Sequence, residues 1–193
     1  MKVLSLFDGM SCGMIALERA KIPVEEYYSS EINKHAMKVS NTNYPLIKQI
    51  GNVCDIDQPP PVDLLIGGSP CQTLSIVGDG SGFSGKSGLF YEYVRIYKHL
   101  KSVNPELKFL LENVCMKKEW SDIISAELEV QPIKINSALV SAQNRERLYW
   151  ANIPNVKLPE DKGILLKDIL EQDVDDKYYH SEAALNYMDR SVK

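Results

Sequence analysis

The sequence has no excess of positive charge, no paired-cysteine framework, no clustered histidines and no apolar run long enough to cross a membrane. Each absence removes a class of protein. With 22 Lys and Arg against 26 Asp and Glu, the formal net charge is -4. That argues against gripping nucleic acid by bulk electrostatics, though it leaves room for a locally basic cleft. The four cysteines, Cys12, Cys54, Cys71 and Cys115, form no Cys-x-x-Cys pair and no Cys/His metal spacing. Neither a disulfide framework nor a metal site is expected. Nothing resembles a signal peptide, since Met1 to Leu6 runs straight into a strand. Free thiols without a leader or membrane span predict a reducing, cytoplasmic setting. His35, His99 and His180 are scattered and read as ordinary surface or boundary residues. There are no internal repeats.

What is present is a chain of 193 residues, enough for one good core, in which apolar strands alternate with amphipathic helices. The expected strands are Val3 to Phe7, Glu26 to Ser30, Gln49 to Val53, Asp63 to Ile66 and Phe109 to Leu111. Ile133 to Leu139 and Arg147 to Trp150 read as a late antiparallel pair. Helices are expected over Met14 to Lys21, Ile32 to Ser40, Leu89 to Leu100 and Glu119 to Leu128. Phe90, Val94, Tyr97 and Leu100 share one face of the third helix. The pattern predicts an α/β fold, with a mostly parallel sheet and helices on both faces. After Pro154 the texture changes to proline breaks and accumulating acids. Ile164 to Leu170 and Glu182 to Met188 are candidate helices there. Residues 1–154 therefore read as one domain, and 155–193 as an incomplete further region or linker.

Four stretches carry chemistry. In the first, Asp63 to Ile66 leads into Gly67-Gly68-Ser69-Pro70-Cys71-Gln72, which puts a thiol at the carboxyl end of a buried strand, where α/β sheets place their sites. Alone, Cys71 reads more readily as a small buried hydrophobe than as a nucleophile. In the second, Phe109-Leu110-Leu111 delivers Glu112, Asn113 and Val114 to the same sheet edge. Partial burial there would raise the Glu112 pKa enough for it to donate a proton to a ring nitrogen near neutrality. Helix capping is the plainer role. The third is Gln143-Asn144-Arg145-Glu146-Arg147, where two arginines at i, i+2 on an extended segment face one side. They suit a carbonyl, a phosphate or a carboxylate; a solvated turn is the plainer role.

The fourth is the turn Phe7-Asp8-Gly9-Met10-Ser11-Cys12-Gly13, between first strand and first helix, where glycines let backbone amides approach a ligand. Glu31, ending the second strand, can take both hydroxyls of a ribose. Asp55, past the third strand, can accept from an adenine amine. A glycine-rich span, Gln72 to Gly88, invites another reading. Gly80-Ser81-Gly82-Phe83-Ser84-Gly85-Lys86-Ser87 satisfies the phosphate-loop pattern of nucleotide triphosphatases. A mobile lid that closes over a substrate is the competing role.

Together and in this order, these stretches resemble the DNA (cytosine-5) methyltransferases, of phage and bacterial type. The likeness runs from Met1 to about Pro154. Phe7-Asp8-Gly9 with Gly13 is similar to the family's first motif, in the form carried by the de novo mammalian enzymes. Pro70-Cys71-Gln72 is similar to the nucleophile motif, Glu112-Asn113-Val114 to that of the catalytic glutamate, and Gln143, Arg145 and Arg147 to Gln-x-Arg-x-Arg. The resemblance implies a Rossmann-like S-adenosylmethionine-dependent methyltransferase fold. It also implies a cytosine rotated out of duplex DNA, and a covalent Cys71 adduct. Glu112, Arg145 and Arg147 would join Cys71 in catalysis. Phe7, Asp8, Gly9, Gly13, Glu31, Ile32, Asp55, Ile56, Pro70 and Leu89 would line the cofactor site. Ser69, Gln72, Asn113, Val114 and Gln143 would shape the substrate pocket. Double-stranded DNA is the implied partner, in a bacterial cell or phage-infected host.

The family continues past the arginine motif into a target-recognition region and two further motifs; residues 155–193 read as only the start of that region or a linker, with Asp168-Ile169-Leu170-Glu171 and Lys177-Tyr178-Tyr179 similar to its threshold, and the rest is expected to be lacking. The expectations are a truncated product, a split enzyme completed by a second subunit or homo-oligomer, or a non-catalytic accessory relative. A tRNA cytosine-5 methyltransferase is a further alternative, but that subgroup's Cys-Phe-Thr tripeptide is absent.

Overall fold

A computed structural model describes residues 1–70 and 88–191. Cys71, Gln72, the phosphate-loop pattern and, but for Gly88, the lid expected over Gln72 to Gly88 lie outside the described residues. Seven strands form one sheet in the order β3-β2-β1-β4-β5-β7-β6. They are β1 (Lys2–Leu6), β2 (Glu26–Ser30), β3 (Lys48–Gln49), β4 (Leu64–Gly67), β5 (Lys108–Val114), β6 (Ile133–Asn136) and β7 (Glu146–Ala151). The first five pair in parallel, and β7 runs antiparallel between β5 and β6. The helices are α1 (Cys12–Arg19), α2 (Lys34–Asn43), α3 (Phe90–Val103), α4 (Lys118–Leu128) and α5 (Glu182–Ser191).

Strand alternation divides the core in two. Val3 packs on one face with Leu17, Tyr27, Ile47 and Leu64. Leu4 and Leu6 pack on the other, against Phe90, Tyr93, Ile96 and Leu100 of α3 and Ile124 and Leu128 of α4. Tyr97, expected inside, is only partly buried, its ring 4.7 Å from that of Phe109. Trp150 is fully buried, and its indole N–H donates to Ser125 Oγ at 2.9 Å, tying β7 to α4.

Several elements have other bounds than the sequence suggests. The third strand stops at Gln49, and Val53–Asp55 is a 3₁₀ turn capped by Asn52, whose Oδ1 accepts from the Cys54 amide. The second helix starts two residues late because Asn33 caps it, accepting from the amides of His35 and Ala36. β6 ends at Asn136 and turns into another 3₁₀ segment. Ile164 to Leu170 forms one 3₁₀ turn, Leu166–Asp168, instead of a helix. Leu165, Leu166, Ile169 and Leu170 are exposed and, among the described residues, have no surface to pack on, and a helix that short is marginal without one.

Gly13 shows how tightly α1 sits on the sheet. A Cβ there would lie 2.2 Å from Ile66 Cδ1 and 2.8 Å from Tyr27 Oη. Gly13→Ala is expected to destabilise the fold by about 1–3 kcal/mol, read as a lower denaturation midpoint.

Candidate active site

Strand order reverses between β1 and β4, with β2 and β3 on one side and β5 on the other. In such sheets the crevice at the carboxyl ends of the two central strands receives ligands. A cleft of about 330 Å³ lies there, within the size range of small-molecule sites, roughly 300–1,000 Å³. Phe7 and Ile32 from the ends of β1 and β2, Pro70 after β4, and Val53 and Leu89 supply its apolar walls. Ser30, Glu31 and Asn52 supply its polar groups.

The turn after β1 is held in a demanding conformation. Phe7 and Ser11 have φ of 57° and 62°, the left-handed region that residues other than glycine rarely adopt. A buried polar network holds it. Asp8 accepts from Tyr27 Oη at 2.7 Å and from Ser11 Oγ, and Ser11 Oγ lies 2.6 Å from Ser40 Oγ. Burial, with the adjacent Asp8 charge, holds the Tyr27 phenol protonated far above its ordinary range. Asp8, expected at the cofactor, thus turns its carboxylate inward and shapes the turn from behind. Glu31 does face the cleft. Its Oε2 accepts from the Gly9 amide at 2.8 Å, and its Oε1 accepts from the amides of Ile32 and Asn33 at 2.8 Å each. One carboxylate therefore joins the ends of β1 and β2.

Asp55 and Ile56 are not brought to this cleft. Asp55 lines a neighbouring depression with Ile50 and Asp57, and Ile56 is buried in the core. Because β3 ends early, the chain turns sooner and Asn52 and Val53 form the wall instead. Ser30, Asn52 and Val53 escaped the sequence reading. An asparagine that caps the next turn was the available signal for Asn52.

A second centre adjoins the first. Asn113, buried at the end of β5, donates from Nδ2 to Ser69 Oγ at 3.0 Å and Ser69 O at 3.3 Å. This fixes the segment leading to Cys71 against the strand bearing Glu112. Gly68 makes room for that carboxylate, since a Cβ at Gly68 would lie 3.2 Å from Glu112 Oε2. β5 and β7 pair antiparallel, with Glu112 opposite Tyr149 and Val114 opposite Arg147. Paired side chains share a face, so Arg147 reaches Glu112, and its Nε lies 2.9 Å from Oε1. Arg145 is exposed just before β7, close enough for its charge to act on Glu112. Gln143 is also exposed, on the turn where its carbonyl accepts from Ser137 Oγ, and its side chain makes no hydrogen bond among the described residues.

Burial raises the Glu112 pKa above the ordinary carboxylate value, with Arg147 and Arg145 opposing. The folded chain thus holds this proton to higher pH than the unfolded chain does. Glu112 makes stability fall as pH climbs from the ordinary value through the raised one. Arg147→Met removes the larger opposing charge, so the Glu112 carboxyl is expected to titrate at still higher pH. A ¹³C NMR titration of the labelled carboxyl reads this directly; an unchanged or lower midpoint contradicts it.

The fold and the two centres define an α/β domain with a nucleoside-sized cleft beside a carboxylate–guanidinium pair. The chain belongs to the C-5 cytosine-specific DNA methylase family, whose model matches residues 1–193. It is 31% identical to the orphan methyltransferase M.SPRI of Bacillus phage SPR, over 96% of this chain and 53% of that protein. It is 32% identical to the type II methyltransferase M1.ScrFI of Lactococcus lactis subsp. cremoris, over 94% of this chain and 51% of that one. The chain thus spans about half the length of these relatives. Among solved structures, S. pombe Dnmt2 methyltransferase superposes with a TM-score of 0.71 at 19% identity, covering 98% of this chain and 67% of that one. A Spodoptera frugiperda DNMT2 mutant gives 0.64 at 22%, covering 91% and 61%. These two likenesses show the Rossmann-like fold. Among the described residues no helix is long and apolar enough to cross a membrane, and no cluster of His, Cys, Asp and Glu is placed to hold a metal.

Proposed function

We propose that this chain carries the catalytic and cofactor-binding part of a DNA (cytosine-5) methyltransferase, moving a methyl group from S-adenosylmethionine to carbon 5 of cytosine in duplex DNA. The observation that carries the reading is the half-buried Glu112, its pKa raised, paired with Arg147 at 2.9 Å beside the segment that leads into Cys71. Residues 1–154 hold this machinery in the proposal.

The cleft residues fit the cofactor. Phe7 and Ile32 offer flat apolar surface to an adenine, Glu31 offers acceptors to ribose hydroxyls, and Asn52 takes the adenine-edge role expected of Asp55. When bound, S-adenosylmethionine supplies an electrophilic methyl group.

The target base leaves the stack to reach the site. The Cys71 thiolate adds to carbon 6, forming a sulfur–carbon bond and placing the electron pair of the 5,6 double bond at carbon 5. Glu112 holds the N3 and amino edge, and its raised pKa keeps a proton available for N3 as charge develops. Arg147, supported by Arg145, holds the O2 side. Carbon 5 then takes the methyl group as the sulfonium's carbon–sulfur bond breaks. Loss of the carbon-5 proton re-forms the double bond and expels the Cys71 thiolate.

The test is labelled methyl transfer from S-adenosylmethionine to mixed-sequence duplex DNA, read as 5-methylcytosine by nucleoside mass spectrometry. Label in 5-methylcytosine is the expected result. Label confined to RNA, or none in DNA while the cofactor binds, overturns the reading.

A further inference from the structure

We infer that Arg95, a residue of α3 outside the cleft lining, is a positioning residue that sets the adenine wall of the cleft; the inference rests on the cofactor reading above. The guanidinium spends its donors on one task. Nη1 donates to the Ile56 carbonyl at 2.9 Å, Nη2 to the Val53 carbonyl at 3.3 Å, and Nε to Glu92 Oε2 at 2.8 Å. Val53 and Ile56 begin and follow the 3₁₀ turn beside Asn52, so these bonds fix the backbone of the wall that replaced Asp55.

The wall's other supports are local: Ser30 Oγ donates to Gly51 O at 2.9 Å, and Asn52 Oδ1 accepts from the Cys54 amide at 3.2 Å. β3 is two residues long and pairs only with β2. Beyond the Ile50 amide, which donates to Ser29 O at 2.8 Å, the segment leaves the sheet. Of the turn's two backbone bonds, the Asp55 amide donates to Asn52 O at 3.0 Å, while the second, from the Ile56 amide to Val53 O, is long at 3.4 Å. Val53 and Ile56 reach into the core, which anchors the turn's side chains but does not set its backbone carbonyls.

The same helix leads off from a second lining residue, Leu89, immediately before α3. Arg95 therefore ties the turn to the rigid element whose start also lines the cleft. Glu92, one helical turn before Arg95, holds the guanidinium plane so that both Nη groups meet their carbonyls. A lysine has a point charge and no fork, so it cannot hold two carbonyls in this geometry.

The test measures binding of S-adenosylhomocysteine and of adenosine by calorimetry, alongside kinetics, for the wild-type chain, Arg95→Lys, Arg95→Met and Glu92→Gln. Both Arg95 variants are expected to raise Kd and the KM for S-adenosylmethionine by about tenfold, with kcat at saturation within about twofold of wild type. Adenosine should lose as much affinity as the full ligand, since the wall serves the base. Glu92→Gln should give a smaller loss in the same direction. Arg95→Lys keeps the charge and helix propensity, so it guards against a folding failure in Arg95→Met. A role confined to stability would lower the denaturation midpoint and leave Kd, KM and their ratio to kcat unchanged; that result overturns the inference. A wild-type chain that binds neither compound overturns the cofactor reading itself, and the inference with it.

Discussion

Cys71→Ser lowers methyl transfer on the order of 10⁴-fold or more, while leaving S-adenosylhomocysteine affinity within about twofold of wild type. The two quantities separate because they draw on different parts of the sheet edge. Apart from Pro70, the cleft residues, among them Phe7, Glu31, Ile32, Asn52 and Leu89, come from other segments of the chain. In the proposed reaction the thiol attacks the base, and a serine hydroxyl at neutral pH is a far weaker nucleophile than a thiolate. Transfer assays at saturating cofactor, paired with calorimetry, make the comparison. If activity and binding fall together, Cys71 is a packing residue at the head of the cleft and the nucleophile lies elsewhere.

Glu112→Gln costs roughly 10²- to 10⁴-fold in methyl transfer, the scale of a positioned proton donor. The amide keeps the size of the side chain and fits beside Gly68, so cofactor binding should be unaffected. What goes is a group whose proton can be shared with N3, together with the counter-charge of the largely buried Arg147. The pH profile distinguishes this from simple misplacement. In the wild-type enzyme, activity should fall at high pH as Glu112 gives up its proton, at a pH above the ordinary carboxylate range. In Glu112→Gln that limb should vanish from the residual activity. A limb unchanged in the variant would assign it to another group.

The parallel sheet and the strand-end motifs were legible because Val3 to Phe7, Asp63 to Ile66 and Phe109 to Leu111 are largely apolar runs, each followed at once by a glycine or an acid. Glu112, Asn113, Arg147, Glu31 and Phe7 were therefore expected at one edge of the sheet, and the structure places them there. Asn52 was missed for a specific reason. The reading carried the third strand to Val53, and the observed strand ends at Gln49, which moves the wall forward from Asp55. A strand that short has no periodicity to detect.

Asp8 shows a different limit. Beside a glycine turn, a carboxylate can face a ligand or face inward. Here the choice is made by Tyr27 and Ser40, distant in sequence, which meet Asp8 and Ser11 only after the fold forms. Arg95 carried no signal at all, since an arginine on an amphipathic helix looks solvated until its carbonyl partners arrive from another segment. The expected tail helix at Ile164 to Leu170 failed for the opposite reason. Its apolar residues were real, but among the described residues they have no surface to bury against.

The most direct test of the account is trapping of the covalent step on duplex DNA in which target cytosines carry fluorine at carbon 5. Fluorine blocks loss of the carbon-5 proton, so the adduct cannot collapse once methyl transfer has occurred. Intact mass spectrometry in the presence of S-adenosylmethionine should show a protein–DNA conjugate, and peptide mapping should place the bond on Cys71. Methylation of ordinary DNA without any conjugate on the fluorinated duplex, or a conjugate at Cys12, Cys54 or Cys115, would contradict it.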